Sequence, residues 1–175
     1  MTIFEGSAVA LVLPMFDNGD IDFEGFKRQV QRMIDGGVQA LLVNGTTGET
    51  ATITIEDEFK LLDMTMELAK GTGVKVICGA GSNDTQTALK KARYAKEKGA
   101  HIVSLTDSPF APVASFTDNL LLVKSNMVSF VDSLVPALSI ANALIVSVGM
   151  KEKEDIKQHF DDLEAIWEKY SVYDK

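Results

Sequence analysis

Three short loops hold most of the residues that chemistry could use. Gly45-Thr46-Thr47-Gly48-Glu49 offers two adjacent hydroxyls and main-chain amides that can converge on an anion. Gly79-Ala80-Gly81-Ser82-Asn83 runs into a helix-forming stretch and has the makeup of an anion nest. It lacks the GxxxxGK[ST] spacing of a phosphate loop and the full dinucleotide fingerprint. Thr106-Asp107-Ser108 adds two more hydroxyls. The candidate anion-binding residues are therefore Thr46, Thr47, Ser82, Thr106 and Ser108, and the expected ligand is a small phosphate, sulfate or carboxylate. Glu49, Asp84 and Asp107 oppose it, and none of the three loops carries a lysine or arginine, so weak binding is expected.

Other chemistries find little support. His101 and His159 are far apart and no Cys/His cluster exists, so neither a metal nor a cofactor is expected. Cys78 sits in an apolar run and reads as a core thiol. Lys75 and Lys124 border strands and read as solvent-facing. Asp161 and Asp162 are adjacent on a helix and do not face each other. No Ser/His/acid triad can be assembled.

The loops need a scaffold, and the chain reads as alternating strands and helices. The strands are Ala8 to Val12, Ala40 to Val43, Val74 to Cys78, Ile102 to Leu105 and Leu120 to Val123. They are short, nearly continuous apolar runs, the mark of a parallel sheet covered on both faces. Between them, Phe23, Phe26, Val30, Met33 and Ile34 recur at helical spacing behind Asp22. Ile55, Phe59, Leu62, Met66 and Ala69 do so behind Thr54 and Asp57. A third helix runs to Gly99, with Asn83 and Gln86 at capping-box spacing. Val128 to Val148 reads as one long helix, and its segment Leu134 to Met150, apolar all round, should be the most buried. Lys151 to Tyr170 is a last amphipathic helix with Ile156, Phe160, Leu163, Ile166 and Trp167 as its stripe. All three loops then leave carboxyl ends of strands, where open α/β sheets bind ligands.

A chain of 175 residues fits a single domain, 1–175. A net charge of -8 argues against a nucleic-acid surface. Leu134 to Met150 is short for a membrane span and is interrupted by Pro136, Ser139 and Ser147, and no signal stretch opens the chain. The expected partners are therefore neither nucleic acid nor membrane, and the expected location is cytoplasmic. Self-association as a homodimer stays open beside a monomer.

Residues 3 to about 100 resemble the N-terminal part of the dihydrodipicolinate synthases, pyruvate-dependent aldolases with a TIM-barrel fold. The resemblance runs through Phe4-Glu5-Gly6, Ala8 to Pro14, Gly45-Thr46-Thr47-Gly48-Glu49, Gly79-Ala80-Gly81-Ser82-Asn83 and Ala95-Lys96-Glu97-Lys98-Gly99-Ala100. It implies that Thr46 and Thr47 bind a pyruvate carboxylate and relay protons. The family's Thr-Pro after strand one is Leu13-Pro14 here. Its TPYYN-like segment, which carries the relay tyrosine, is replaced by Thr106-Asp107-Ser108-Pro109-Phe110, and the region of the Schiff-base lysine has no counterpart.

Residues 88 to about 170 look similar to the C-terminal half of a sugar isomerase (SIS) phosphosugar-binding domain, a flavodoxin-like fold. Ile102 to Pro109, Pro112 to Leu122 and the helix Phe130 to Val148 carry this second likeness. Together the two imply a chimera, with a barrel-derived segment 1–99, an SIS-derived segment 88–175 and a junction in or near helix 85–99. The expected fold is a three-layer αβα sandwich of flavodoxin-like type with a five-stranded parallel sheet in the order 2-1-3-4-5. The expected function is that of an engineered scaffold without catalysis, not an enzyme. The alternatives are a weak phosphosugar or small-anion binder and a residual pyruvate-binding, aldolase-like enzyme. Strand one at a sheet edge, outside strand two, would exclude the flavodoxin-like order.

Overall fold

A computed structural model describes residues 6–123, 133–151 and 153–172. The chain divides into two units, Met1–Ile102 with Pro112–Asp118, and Val103–Ala111 with Asn119–Lys175.

The first unit is built on three parallel strands, β1 (Ala8–Ala10), β2 (Ala40–Val43) and β3 (Lys75–Cys78), in that order. Ala8 pairs with Ala40 and Ala10 with Leu42; Ala40 then pairs with Lys75 and Val43 with Cys78. β1 is at the edge and β2 in the middle, so the flavodoxin-like order 2-1-3 is not formed. Each βα unit instead lays its strand beside the previous one, as a (β/α)8 barrel does. The fourth and fifth strands do not extend this sheet, and the expected five-stranded sheet is absent. The order differs from the expected one because sequence periodicity identifies a strand but not its neighbour.

The helices of this unit are fixed by their caps. In α1 (Phe23–Asp35), Asp22 Oδ1 accepts from the Gly25 amide at 2.7 Å. In α2 (Ile55–Ala69), Thr54 Oγ1 accepts from the Asp57 amide at 3.2 Å. In α3 (Thr85–Glu97) the cap is Asp84, not Asn83. Its carboxylate accepts from the amides of Gln86 at 3.4 Å and Thr87 at 2.7 Å. A carboxylate outcompetes a neighbouring amide there because it also meets the positive end of the helix dipole. These bonds hold the Asp84 carboxyl below the usual aspartate range, led by that from the Thr87 hydroxyl.

The core gathers Leu11, Leu13, Phe26, Val30, Leu41, Val43, Leu61 and Leu62 between the sheet and helices α1 and α2. Helix α3 docks on α2 through a stacked pair, Phe59 and Tyr94, with ring centroids 3.8 Å apart. Beside it Asp63 accepts from the Tyr94 hydroxyl and pairs with Lys98, both at 2.7 Å. Burial works to raise the Asp63 carboxyl, but the bonds from Lys98 and Tyr94 outweigh it and leave it lowered. A 3-10 turn, Pro112–Phe116, also lies against α3, with the Arg93 guanidinium 5.5 Å from the Phe116 ring centre. Asp118 closes this corner by accepting from the Ile102 amide at 2.7 Å and pairing with Lys96 at 2.6 Å.

The second unit contains β4 (Val103–Thr106) and β5 (Asn119–Leu122), a parallel pair in the register Val103 to Asn119 through Thr106 to Leu122. Two helices follow, α4 (Val135–Lys151) and α5 (Lys153–Lys169). Helix α4 is not the most buried helix. None of its residues is buried, and Ile145 and Met150 are 69% and 76% exposed. Being apolar on every side, it has no single face that one neighbour could cover. The stripe of α5 is likewise open at Phe160, Leu163 and Ile166. Lys124 and the start expected for the long helix, 128–132, lie outside the described residues, as does the side chain of His159. Among the described residues no single helix is long and apolar enough to cross a membrane.

Candidate active site

The carboxyl end of β2 turns abruptly. Asn44 takes a left-handed conformation, φ 57°, and Gly45 is extended. Thr46–Gly48 then makes one 3-10 turn, and Glu49 ends it at φ 52°. Asparagine tolerates this backbone region better than glutamate does. Within the turn the Gly48 amide donates to Gly45 O and the Glu49 amide to Thr46 O, both at 3.1 Å. The Thr50 hydroxyl also donates to Gly45 O, at 2.5 Å. Gly48 is buried, and a Cβ there would stand 3.1 Å from Leu11 O, so the turn is folded tightly onto the strand-one segment. The first amide bonded inside a 3-10 turn is the third, so those of Thr46 and Thr47 have no acceptor within it. Both threonine side chains are exposed. The turn thus carries two exposed hydroxyls and two amides with no partner inside it, a donor set of the kind that suits a carboxylate.

The remaining candidates are placed differently. Ser82 is exposed, and its Oγ accepts from the Asp84 amide at 3.1 Å, which commits it to the entry of α3. Thr106 and Ser108 belong to the second unit. Thr106 Oγ1 lies 3.4 Å from an Asp107 carboxylate oxygen, and Ser108 Oγ accepts from the Phe110 amide at 3.1 Å. The first unit therefore contains Thr46, Thr47 and Ser82, with Thr46 and Thr47 on one turn.

Sequence reasoning missed a buried polar cluster at the root of that turn. Glu58 on α2 and Lys91 on α3 form an ion pair of 2.6 Å, with side chains 4% and 9% exposed. Asn44 Nδ2 donates to the main-chain oxygen of Glu58 at 2.9 Å and lies 3.7 Å from Cys78 Sγ. Gly79 is pressed against the same residue, since a Cβ there would come within 2.1 Å of Asn44 O. Burial pushes the Cys78 thiol up. The bond from Asn44 and the charge of Lys91 work against that rise, and the charge of Glu58 adds to it. A raised pKa disfavours the thiolate, the reactive form of the group. A signal existed in the sequence. Glu58 stands in helical register with Ile55 and Leu62, and Lys91 with Ala88 and Ala95, so each charge lies on an inward stripe. Among the described residues no group of three or more His, Cys, Asp or Glu side chains is placed to hold a metal ion.

The model of the dihydrodipicolinate synthetase family matches residues 3–118. The chain belongs to that family. It is 44% identical over 98 residues to the 4-hydroxy-tetrahydrodipicolinate synthase of Campylobacter jejuni subsp. doylei, covering 56% of this chain and 33% of that protein. The dihydrodipicolinate synthase of Aquifex aeolicus is 38% identical with a TM-score of 0.52, over 58% of this chain and 34% of its own. The Bacillus anthracis enzyme covers 79% of this chain and 52% of its own at 27% identity, with a TM-score of 0.57. A chloride-inhibited dihydrodipicolinate synthase from Acinetobacter baumannii, solved in complex with pyruvate, is 31% identical over 57% of this chain and 34% of its own, with a TM-score of 0.52. The chain spans about a third of the length of the curated relatives it matches.

These findings correct the chimera. The family match continues through helix 85–99, where a junction was expected, past β4 and on to Asp118. Residues 88–118 are thus not set apart as an SIS segment. The βα rhythm that both families share misled the sequence reading, because a strand, a glycine-ended helix and a strand look alike in either. The flavodoxin-like sandwich gives way to a dihydrodipicolinate-synthase-like barrel-type fold with two small parallel sheets. The expectation of an engineered scaffold that is not an enzyme falls with the chimera, since the chain belongs to a family of enzymes.

Proposed function

We propose that the chain takes part in aldolase-type chemistry on pyruvate or a similar 2-oxo acid, with the Thr46–Thr47 turn holding the carboxylate. The observation that carries this reading is the turn itself. It offers two exposed hydroxyls and two amides without partners in the turn, inside the stretch that matches the family. The pyruvate complex of the Acinetobacter baumannii relative supports the choice of ligand. A carboxylate fixed by four donors leaves the adjacent carbonyl and methyl in one orientation, which is the positioning that carbon–carbon bond formation requires. A threonine hydroxyl can also accept a proton as it donates its own, so the pair can pass one between substrate and solvent. Ser82, at the entry of α3, is a lesser candidate for the same anion. Homodimerisation through the exposed apolar side chains of α4 is a separate, smaller part of the proposal. Sedimentation showing a fixed monomer mass at all concentrations would remove it.

Calorimetric titration with pyruvate tests the main reading. A hydroxyl hydrogen-bonded to a carboxylate is worth about 1.5–3 kcal/mol, so Thr46→Val and Thr47→Val should each weaken binding about ten- to a hundredfold. Binding that is equally tight in the double variant would refute the assignment.

A further inference from the structure

We infer that Lys91 and Glu58 are positioning residues for the Thr46–Thr47 turn, acting through Asn44. This rests on the reading just given.

Glu58 is tied at two points. Its carboxylate takes Lys91 at 2.6 Å, and its main-chain oxygen takes the side-chain amide of Asn44 at 2.9 Å. Asn44 is the last residue before Gly45 and is held in the left-handed region at φ 57°. The direction in which the turn leaves β2 is set by that one residue. Its side chain is held by the first turns of α2 and its main-chain oxygen is crowded by Gly79 at the end of β3. A line of contacts thus runs from α3 through Lys91, Glu58 and Asn44 to the turn, all within the first unit.

Packing does not demand this arrangement. The other buried residues of the two helices are Leu61, Leu62, Ala69, Ala92 and Ala95, with Thr65, whose hydroxyl is satisfied by Leu61 O, and apolar side chains at positions 58 and 91 would continue them. The cluster carries a buried ion pair, a non-glycine left-handed residue and two buried acceptors without a partner, Asn44 Oδ1 and Glu58 Oε2. A fold keeps such departures where a site needs them. An ion pair is also directional in a way that leucine packing is not, so it fixes the rotation of the first turns of α2 against α3.

Amide hydrogen exchange and pyruvate titration on the full chain test this together. The Gly48 and Glu49 amides, bonded within the turn, report its order, and the buried Val30 reports the core. Lys91→Met should speed exchange at Gly48 and Glu49 about tenfold and weaken pyruvate about tenfold, the size of a modest coupling between contacting residues. Val30 should keep its protection. Asn44→Gly keeps the backbone region and removes the tether. It should reproduce both effects with the ion pair intact, and it decides the matter if Lys91→Met does not fold. The neutral double variant Glu58→Gln/Lys91→Met, which leaves no unpaired charge, should loosen the turn as the single variant does. Turn exchange and pyruvate affinity within twofold of wild type in Asn44→Gly, or in a folded Lys91→Met, would overturn the inference. If the wild type binds no pyruvate, the carboxylate reading falls by itself, and the exchange measurement still tests the tether.

Discussion

The two units of this chain use apolar residues in opposite ways. In the first, apolar side chains are spaced so that each helix has one inward face, and Phe26 and Val30 of α1 are 2% and 0% exposed. In the second, helix α4 is more uniformly apolar, yet none of its residues is fully buried. Among the described residues every buried apolar side chain except Val123 belongs to the first unit. Apolar content alone therefore does not make a core. A stripe with a polar back can be covered by one neighbour, whereas a helix apolar all round needs several. The candidate turn stands on the first kind of structure.

Stability should follow the same division. Leu41, fully buried in β2, should cost about 2–5 kcal/mol when changed to alanine, the usual range for such a truncation. Leu144 on α4 is 47% exposed, and the same change there should stay within about 0.5 kcal/mol. Denaturant unfolding followed by probes in each unit would measure both. Equal losses at the two sites would break the comparison.

A smaller effect sharpens it at the edge of the first unit. The bond from the Ile102 amide and the pairing with Lys96 hold the Asp118 carboxyl below its ordinary value of about 3.9. A depressed carboxylate contributes stability that is fully present above the unfolded value and is lost as pH falls through the folded one. Wild type and Asp118→Asn should therefore differ most at neutral pH and converge in the acid range below about 3.9. A gap that stays constant down to pH 2 would show that the corner is held by packing alone.

Much of the first unit was legible in the sequence. Asp22 and Thr54 cap the helices expected of them, and β2 spans Ala40–Val43 as the apolar run suggests. Asp84 replaced Asn83 because the choice between two neighbouring caps depends on geometry that spacing does not record. Strand order was not legible, since β1 would read the same at an edge or in the middle. The Thr46–Thr47 turn is marked in the sequence by its flanking glycines. Its supports were not found, because Glu58, Lys91 and Asn44 lie on three separate elements and meet only in the folded chain. The second unit misled most, since α4 looked like a core helix by composition.

The central claim is that the Thr46–Thr47 turn of the first unit binds a 2-oxo acid carboxylate. It is tested most directly by following backbone amide NMR shifts during a pyruvate titration of the full chain. The account predicts saturable shifts that begin at Thr46 and Thr47, extend to Gly48 and Asn44, and vanish in the Thr46→Val/Thr47→Val variant. Saturable shifts confined to Thr106–Phe110, or no saturable shift at the Thr46–Thr47 turn, would contradict it.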